Sequence, residues 1–152
     1  MNSIQWSVKK FVALTLTELY DILQIRAEVF VVEQDCVYQD LDYADQNAWH
    51  LMAFKKDKLV AYARIFSPKI KYDEAAIGRV ITHQSIRKNG IGKTLMNKAI
   101  SFCKEHFPSE NIKISAQCYL EKFYKALGFK VVSEIYLEDG IEHQEMILLA
   151  NT

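Results

Sequence analysis

Two tight-turn signals constrain this 152-residue chain more than any other feature of its sequence. Apolar runs at residues 50–55 and 58–66 meet at Lys56-Asp57. A second pair, residues 131–137 and 141–149, meets across Glu138-Asp139-Gly140. Asp-Gly between apolar runs is a strong hairpin signal, because two-residue hairpin turns need positive φ. Hairpins join antiparallel strands, so a doubly wound, all-parallel sheet is excluded.

The other elements follow from periodicity and punctuation, since only five glycines and two prolines interrupt the chain. Residues 3–11 alternate through Ile4, Trp6 and Val8 as a first strand. Thr15 with Glu18 forms a capping box, and Leu16, Leu19, Tyr20, Leu23, Ala27 and Phe30 predict the buried face of the helix that follows. Residues 33–49 lose that period and read as a loop with at most a helical turn. Residues 75–82 form a strand, and Gly78 within it marks a bulge or a close backbone approach. Ile91, Leu95, Met96, Ala99, Ile100 and Cys103 define an amphipathic helix that stops before Pro108. Residues 112–116 are a short strand. Leu120, Phe123, Tyr124 and Leu127 mark a short helix closed by Gly128. The expected fold is α/β: a twisted sheet of mixed polarity with flanking helices, in the order β-α-β-β-β-α-β-α-β-β. Residues 1–152 form one domain.

Composition removes several functions. Lys plus Arg and Asp plus Glu both number 19, so the basic surplus of a nucleic-acid binder is missing. No apolar run is long enough to span a membrane, and MNSIQWSVKK has neither the apolar core nor the cleavage site of a signal peptide. Cys36, Cys103 and Cys118 are too few and too scattered for a disulfide framework or a cysteine-rich metal site. A reduced, cytoplasmic protein without a metal is expected.

The segment Arg87-Lys88-Asn89-Gly90-Ile91-Gly92-Lys93-Thr94 lies between a strand and an amphipathic helix. The first turn of a helix carries unpaired N–H groups and the positive end of the dipole. Glycines admit a phosphate close to the backbone, and Arg87, Lys88 and Lys93 add positive charge. The segment therefore reads as a phosphate or pyrophosphate cradle. A nucleotide-triphosphate P-loop would need glycine where Arg87 stands, and residues 112–116 run into Gln117 without offering an Asp for magnesium.

Arg87-x-x-Gly90-x-Gly92 resembles the acetyl-CoA pyrophosphate motif of the GNAT superfamily of N-acetyltransferases. Phe123-Tyr124-Lys125-Ala126-Leu127-Gly128-Phe129 resembles its second signature, at the usual separation. Val29-Phe30-Val31-Val32-Glu33-Gln34, Asp40, Asp42, Asp45, His50-Leu51, Ile77-Gly78-Arg79-Val80 and Glu138-Asp139-Gly140-Ile141-x-His143 resemble the ElaA-type branch, so the likeness covers nearly the whole chain.

The resemblance implies direct acetyl transfer from acetyl-CoA, as cosubstrate, to a primary amine on a small molecule or peptide. Val80, Ile81 and Thr82 would pair with the pantetheine arm. The backbone of Lys88 to Thr94 would hold the pyrophosphate, through Lys88, Asn89, Gly90, Ile91, Gly92, Lys93 and Thr94, with Arg87 assisting. Gln117 stands where many members have Asn against pantetheine. Tyr124 would be the general acid for the leaving thiolate. Glu33 ranks first as general base, with Asp35, Asp40, Asp42, Asp45 and His50 as rivals.

Residues 27–54 hold six acids and no Lys or Arg, whereas residues 69–104 hold eight bases against two acids. That polarity suits a cationic acceptor and an anionic cofactor. A non-catalytic acyl-CoA sensor on the same fold is the alternative. Neither nucleic acid nor membrane is expected as a partner, and a homodimer is left open.

Overall fold

The computed structural model describes residues 3–151. One eight-stranded sheet is flanked by three α-helices. Strands β1 (Gln5–Lys10), β2 (Trp49–Lys55), β3 (Lys58–Phe66) and β4 (Ala75–Thr82) are antiparallel neighbours in that order. Strand β5 (Ile112–Gln117) lies parallel to β4, and β8 (Ile141–Leu148) lies antiparallel to β5. The far edge of β8 carries two short strands, β6 (Lys130–Val131) and β7 (Tyr136–Glu138).

Both hairpins form where their turn residues predict. Lys56 and Asp57 have φ of 50° and 63°, and Asp139 and Gly140 have φ of 52° and 78°. Positive φ at both central positions matches the twist of the flanking strands. The expected strand over 131–137 is instead split into β6 and β7. Ser133 causes the break: its Oγ accepts from the Glu145 N–H at 2.8 Å, so a side chain replaces a ladder carbonyl and the main chain leaves the sheet there.

Helix α1 (Leu16–Arg26) starts at the Thr15 capping box. Thr15 Oγ1 accepts from the Glu18 N–H at 3.0 Å, and Glu18 Oε1 accepts from the Thr15 N–H at 2.8 Å. Its buried face differs from the expected one. Leu16 and Tyr20 are 87% and 74% exposed, while Ile22, Ile25, Arg26 and Val29 point inward. Spacing of three and four is kept, but a buried arginine occupies the stripe and disguised it. The chain continues as a π-helix over Ala27–Glu33, a widened turn that often occurs at functional sites.

Helix α2 (Ile91–His106) packs Leu95, Met96, Ala99, Ile100 and Cys103 onto one face of the sheet. They share a core with Leu51, Ala61 and Ala63 from one side of the sheet and Ile114, Met146 and Leu148 from the other. Helix α3 (Glu121–Ala126) lies on the same face, contributing Tyr124. Gly128 closes it at φ 103°, where a Cβ would stand 2.9 Å from Leu148 Cδ1, so the position requires glycine. On the opposite face, Ile22, Ile25 and Val29 pack against Met52, Tyr62 and Ile81.

Candidate active site

The site is made by a parting of strands. β4 and β5 pair only at Ala75↔Ile112 and Ala76↔Lys113, although β4 runs on to Thr82 and β5 to Gln117. A cavity of about 450 Å³ fills the gap. Every residue from Ile77 to Thr82 lines it, as do the neighbours Ile114 and Ser115. Successive residues of a strand point to opposite faces, so a run of consecutive lining residues means that the cavity follows the strand edge and opens toward both faces. Beyond Ala76, the edge of β4 that faces β5 has no strand partner among the described residues, which turns its peptide groups toward the cavity.

A β-bulge shapes that edge. Between the pairs Tyr62↔Ile81 and Arg64↔Gly78, β4 has one residue more than β3. Arg79, not Gly78, takes the positive φ, at 51°. Gly78 stands at the bulge, as expected, and a Cβ there would meet nothing within 4 Å, because the residue lines the cavity. Arg79 is held in this conformation by Asp40. Its Nε donates to Asp40 Oδ1 at 2.8 Å and its Nη2 to the Asp40 carbonyl at 2.9 Å.

That contact belongs to a network of three arginines and three aspartates. Arg26 reaches Asp40 at 2.8 Å and Asp45 at 2.7 Å. Arg64 reaches Asp45 at 2.7 Å and grips Asp42 with both terminal nitrogens, at 2.9 and 2.8 Å. Burial alone would raise the Asp45 carboxyl, but the guanidinium groups of Arg26 and Arg64 outweigh it and hold it below the usual range. The same balance, led by Arg64, depresses Asp42. Half of the acids that suggested an open acidic patch are therefore neutralised here. These three aspartates fasten the loop after α1 and do not serve as bases.

His50 is also structural. Its Nε2–H donates to the Asp45 carbonyl at 2.9 Å, which leaves Nδ1 to accept from the Tyr62 hydroxyl at 2.6 Å. Burial pushes it below its usual 6.5, and it remains neutral.

The expected residues meet at the cavity with different degrees of engagement. Val80, Ile81, Thr82, Gln117, Tyr124 and Glu33 all line it. From the basic loop, Arg87 and Gly92 belong to its wall, whereas Lys88, Asn89, Gly90, Ile91, Lys93 and Thr94 lie beyond its rim. Lys88 and Gly90 take left-handed φ of 72° and 74°, which turns the chain into α2. The first intrahelical bond is Thr94 N–H to Gly90 O at 3.2 Å, so the N–H groups of Ile91, Gly92 and Lys93 are those a helix leaves over. The side chain of Ile91 packs on the core and that of Thr94 bonds Gly90 O at 3.3 Å. Ile91 would thus offer a ligand only its backbone N–H, whereas the N–H and the hydroxyl of Thr94 are both held by Gly90 O. A Cβ on Gly92 would sit 3.7 Å from Thr82 Cγ2 and 3.9 Å from Phe123 Cζ, at ordinary contact distance, so glycine leaves that part of the cavity wall open. The residues present therefore fit an extended thioester cofactor with an anionic diphosphate.

Arg87 does not point into free space. Its Nε donates to the Thr82 carbonyl at 2.9 Å, and its terminal nitrogens fork onto Glu33 at 2.5 and 3.1 Å. Tyr124 is 6% exposed, with its ring edge-on to Phe123 and Phe129. It both serves the buried stripe of α3 and lines the cavity. Burial pushes its phenol up to about 12, so it is protonated at neutral pH.

His143, Tyr38, Ser115 and Arg79 also line the cavity, and no local pattern in the sequence marks a role for them. His143 lies on β8 opposite Gln117 of β5. The Asp139-Gly140 turn fixes the register of β8, but its adjacency to β5 is a property of topology.

These features define an acyltransferase-type cleft, and comparison with known proteins gives its family. Residues 18–150 match the model of the acetyltransferase (GNAT) domain, and the chain belongs to that family. It is 41% identical to Protein ElaA of Escherichia coli strain K12 over 142 residues, covering 92% of this chain and 93% of that one. The crystal structure of Escherichia coli ElaA superposes with a TM-score of 0.90 at 39% identity, over 96% of this chain and 99% of that one. An acyl-CoA N-acyltransferase from Pseudomonas aeruginosa superposes with a TM-score of 0.92 at 40% identity, over 96% and 99%. Among the described residues, no helix is long and apolar enough to cross a membrane.

Proposed function

We propose that the chain is an N-acetyltransferase that moves an acetyl group from acetyl-CoA to a primary amine of a small molecule or peptide, by direct transfer, as a single cytoplasmic domain of residues 1–152. The observation that carries this reading is the gap beside β4, with the first turn of α2 at one end and Tyr124 on its wall.

The N–H groups of residues 91–93 and the charge of Arg87, Lys88 and Lys93 would bind the diphosphate, with Asn89 and Gly90 shaping the turn. The unpaired edge at Val80, Ile81 and Thr82 would take the pantetheine arm as a strand takes a neighbour, with Gln117 across the gap. The bound thioester supplies an activated acyl carbon. The neutral Tyr124 hydroxyl protonates the departing sulfur. Glu33 and His143 stand on the wall where an amine would lose its proton.

Calorimetric titration with acetyl-CoA and CoA tests the reading. Both are expected to bind, and absence of binding by either at high micromolar concentration overturns it. CoA release in the presence of an amine separates the enzyme from a sensor on the same fold.

A further inference from the structure

We infer that His143 is the proton acceptor for the attacking amine, and that Glu138 faces the imidazolium it becomes. This deepens the proposed function and rests on it.

Four observations support it. His143 Nδ1 lies 2.7 Å from the Ile141 carbonyl, an acceptor only, so Nδ1 carries the proton. Nε2 is then left with its lone pair, and the residue lines the cavity. Glu138 Oε2 lies 3.4 Å from Nε2. An unprotonated Nε2 has nothing to give that carboxylate, whereas an imidazolium has both a charge and an N–H. Tyr136 stacks on the ring, with centroids 6.2 Å apart and planes 23° apart, and its hydroxyl is fastened to Ser115 Oγ. The imidazole is thus held at Nδ1 and at its face, and Nε2 keeps its lone pair with the Glu138 carboxylate beside it, an arrangement that favours uptake of a proton.

The rival is bound elsewhere. Both oxygens of Glu33 accept from Arg87, so a proton arriving there must displace a guanidinium. His143 also lies on the opposite side of the sheet from Tyr124. Met146 and Leu148 of β8 share a core with α3, and His143 is out of phase with them along the strand. Base and acid therefore approach the gap from its two faces.

The step balances. Nε2 takes a proton from the ammonium group, and the freed lone pair forms the C–N bond to the acyl carbon as the C–S bond breaks. Tyr124 gives its hydroxyl proton to the sulfur and regains one from the new amide nitrogen. His143 then releases its proton to solvent, so one proton leaves per turnover.

The charged or titratable groups on the ring's side of the sheet are Glu138 and Tyr136 on β7 and Glu145, two residues along β8, and both Glu145 and Cys118 act on the stacked Tyr136 hydroxyl. Gln117, on β5, is neutral, and Glu142 and Gln144 alternate to the other face of β8.

Two measurements on the full chain test the assignment. In the first, CoA release is followed with acetyl-CoA and n-butylamine as the probe amine. H143Q is expected to lose at least about 100-fold in kcat, to keep the acetyl-CoA KM within about threefold, and to lose the acid limb of the pH–rate profile. E33Q keeps that limb. An H143Q enzyme with wild-type kcat and acid limb overturns the assignment. In the second, nitrogen-15 NMR of the imidazole, free of any substrate, is expected to give the Nδ1–H tautomer, and an Nε2–H tautomer overturns the assignment. Failure of the wild type to bind acetyl-CoA sinks the proposed function instead, and the tautomer is read independently of it.

Discussion

Arg87 and Glu33, 54 positions apart, form a two-pronged ion pair that ties the basic turn before α2 to the end of the π-helix after α1. Each partner is about one-third exposed. A pair so exposed adds about 1 kcal/mol or less to stability. Under the proposed function its effect would fall instead on the cofactor, because an arginine forked onto a carboxylate is not free for a phosphate.

Glu33→Gln therefore tightens CoA binding about two- to fivefold, whereas Arg87→Ala weakens it roughly tenfold, the value of one charge-assisted contact. Titration calorimetry of both variants measures the two effects. Equal weakening by both would mean that Glu33 supports the phosphate site rather than competing for it.

Tyr124→Phe is expected to lower kcat by about 100-fold or more while the affinity for acetyl-CoA changes little, since in the proposed mechanism the hydroxyl acts on the leaving sulfur and the ring keeps its packing. Steady-state kinetics beside thermal unfolding separates lost chemistry from lost folding. The raised phenol has a second consequence. A group whose folded pKa lies above its ordinary value of 10 stabilises fully below that value, so stability falls as pH climbs from 10 toward about 12. The Phe variant lacks this contribution to the loss.

Asp45 bridges Arg26 and Arg64, and Asp45→Asn leaves two buried guanidinium groups short of a counter-charge. Removing one partner of a buried ion pair costs about 3–5 kcal/mol. Because the folded carboxyl titrates below its ordinary 3.8, its stabilisation is present above that pH and is lost on acidification below it. His50, whose folded pKa is depressed from 6.5, gives an earlier decline starting near that value, since the unfolded chain takes up the proton first. Urea midpoints between pH 7 and 3 for wild type, D45N and H50Q resolve the two phases.

Gly128→Ala destabilises by about 2 kcal/mol or more, because φ of 103° and the 2.9 Å approach to Leu148 both resist a Cβ. Gly78→Ala costs less than about 0.5 kcal/mol, as its Cβ meets open space. Paired denaturation curves check the contrast, which glycine content alone would not distinguish.

What the sequence made legible was local. The Asp139-Gly140 turn, the Thr15 capping box and the αL close at Gly128 each depend on a few adjacent residues, and each formed as read. The strand, basic turn and helix around residues 75–103 were legible for the same reason. What escaped depended on distant partners. The buried face of α1 was misassigned because Arg26, a polar residue, occupies it, and only Asp40 and Asp45 make that burial tolerable. The acids of residues 27–54 looked available until Arg64 and Arg79 were brought against them. His143 was invisible as a candidate because only the adjacency of β8 to β5 carries it to the gap. Ser133 split a strand whose composition gave no warning of a break.

The two rungs that join β4 to β5 leave the sheet as a pair of four-stranded wings, stitched at one end and bridged by α2. A slender chain of pantetheine dimensions lying along β4 would supply rungs that the polypeptide omits. Such a guest stiffens both wings together. Its protection against hydrogen exchange should then spread to β2 and β6, strands that do not line the cavity, and should rise in step with occupancy.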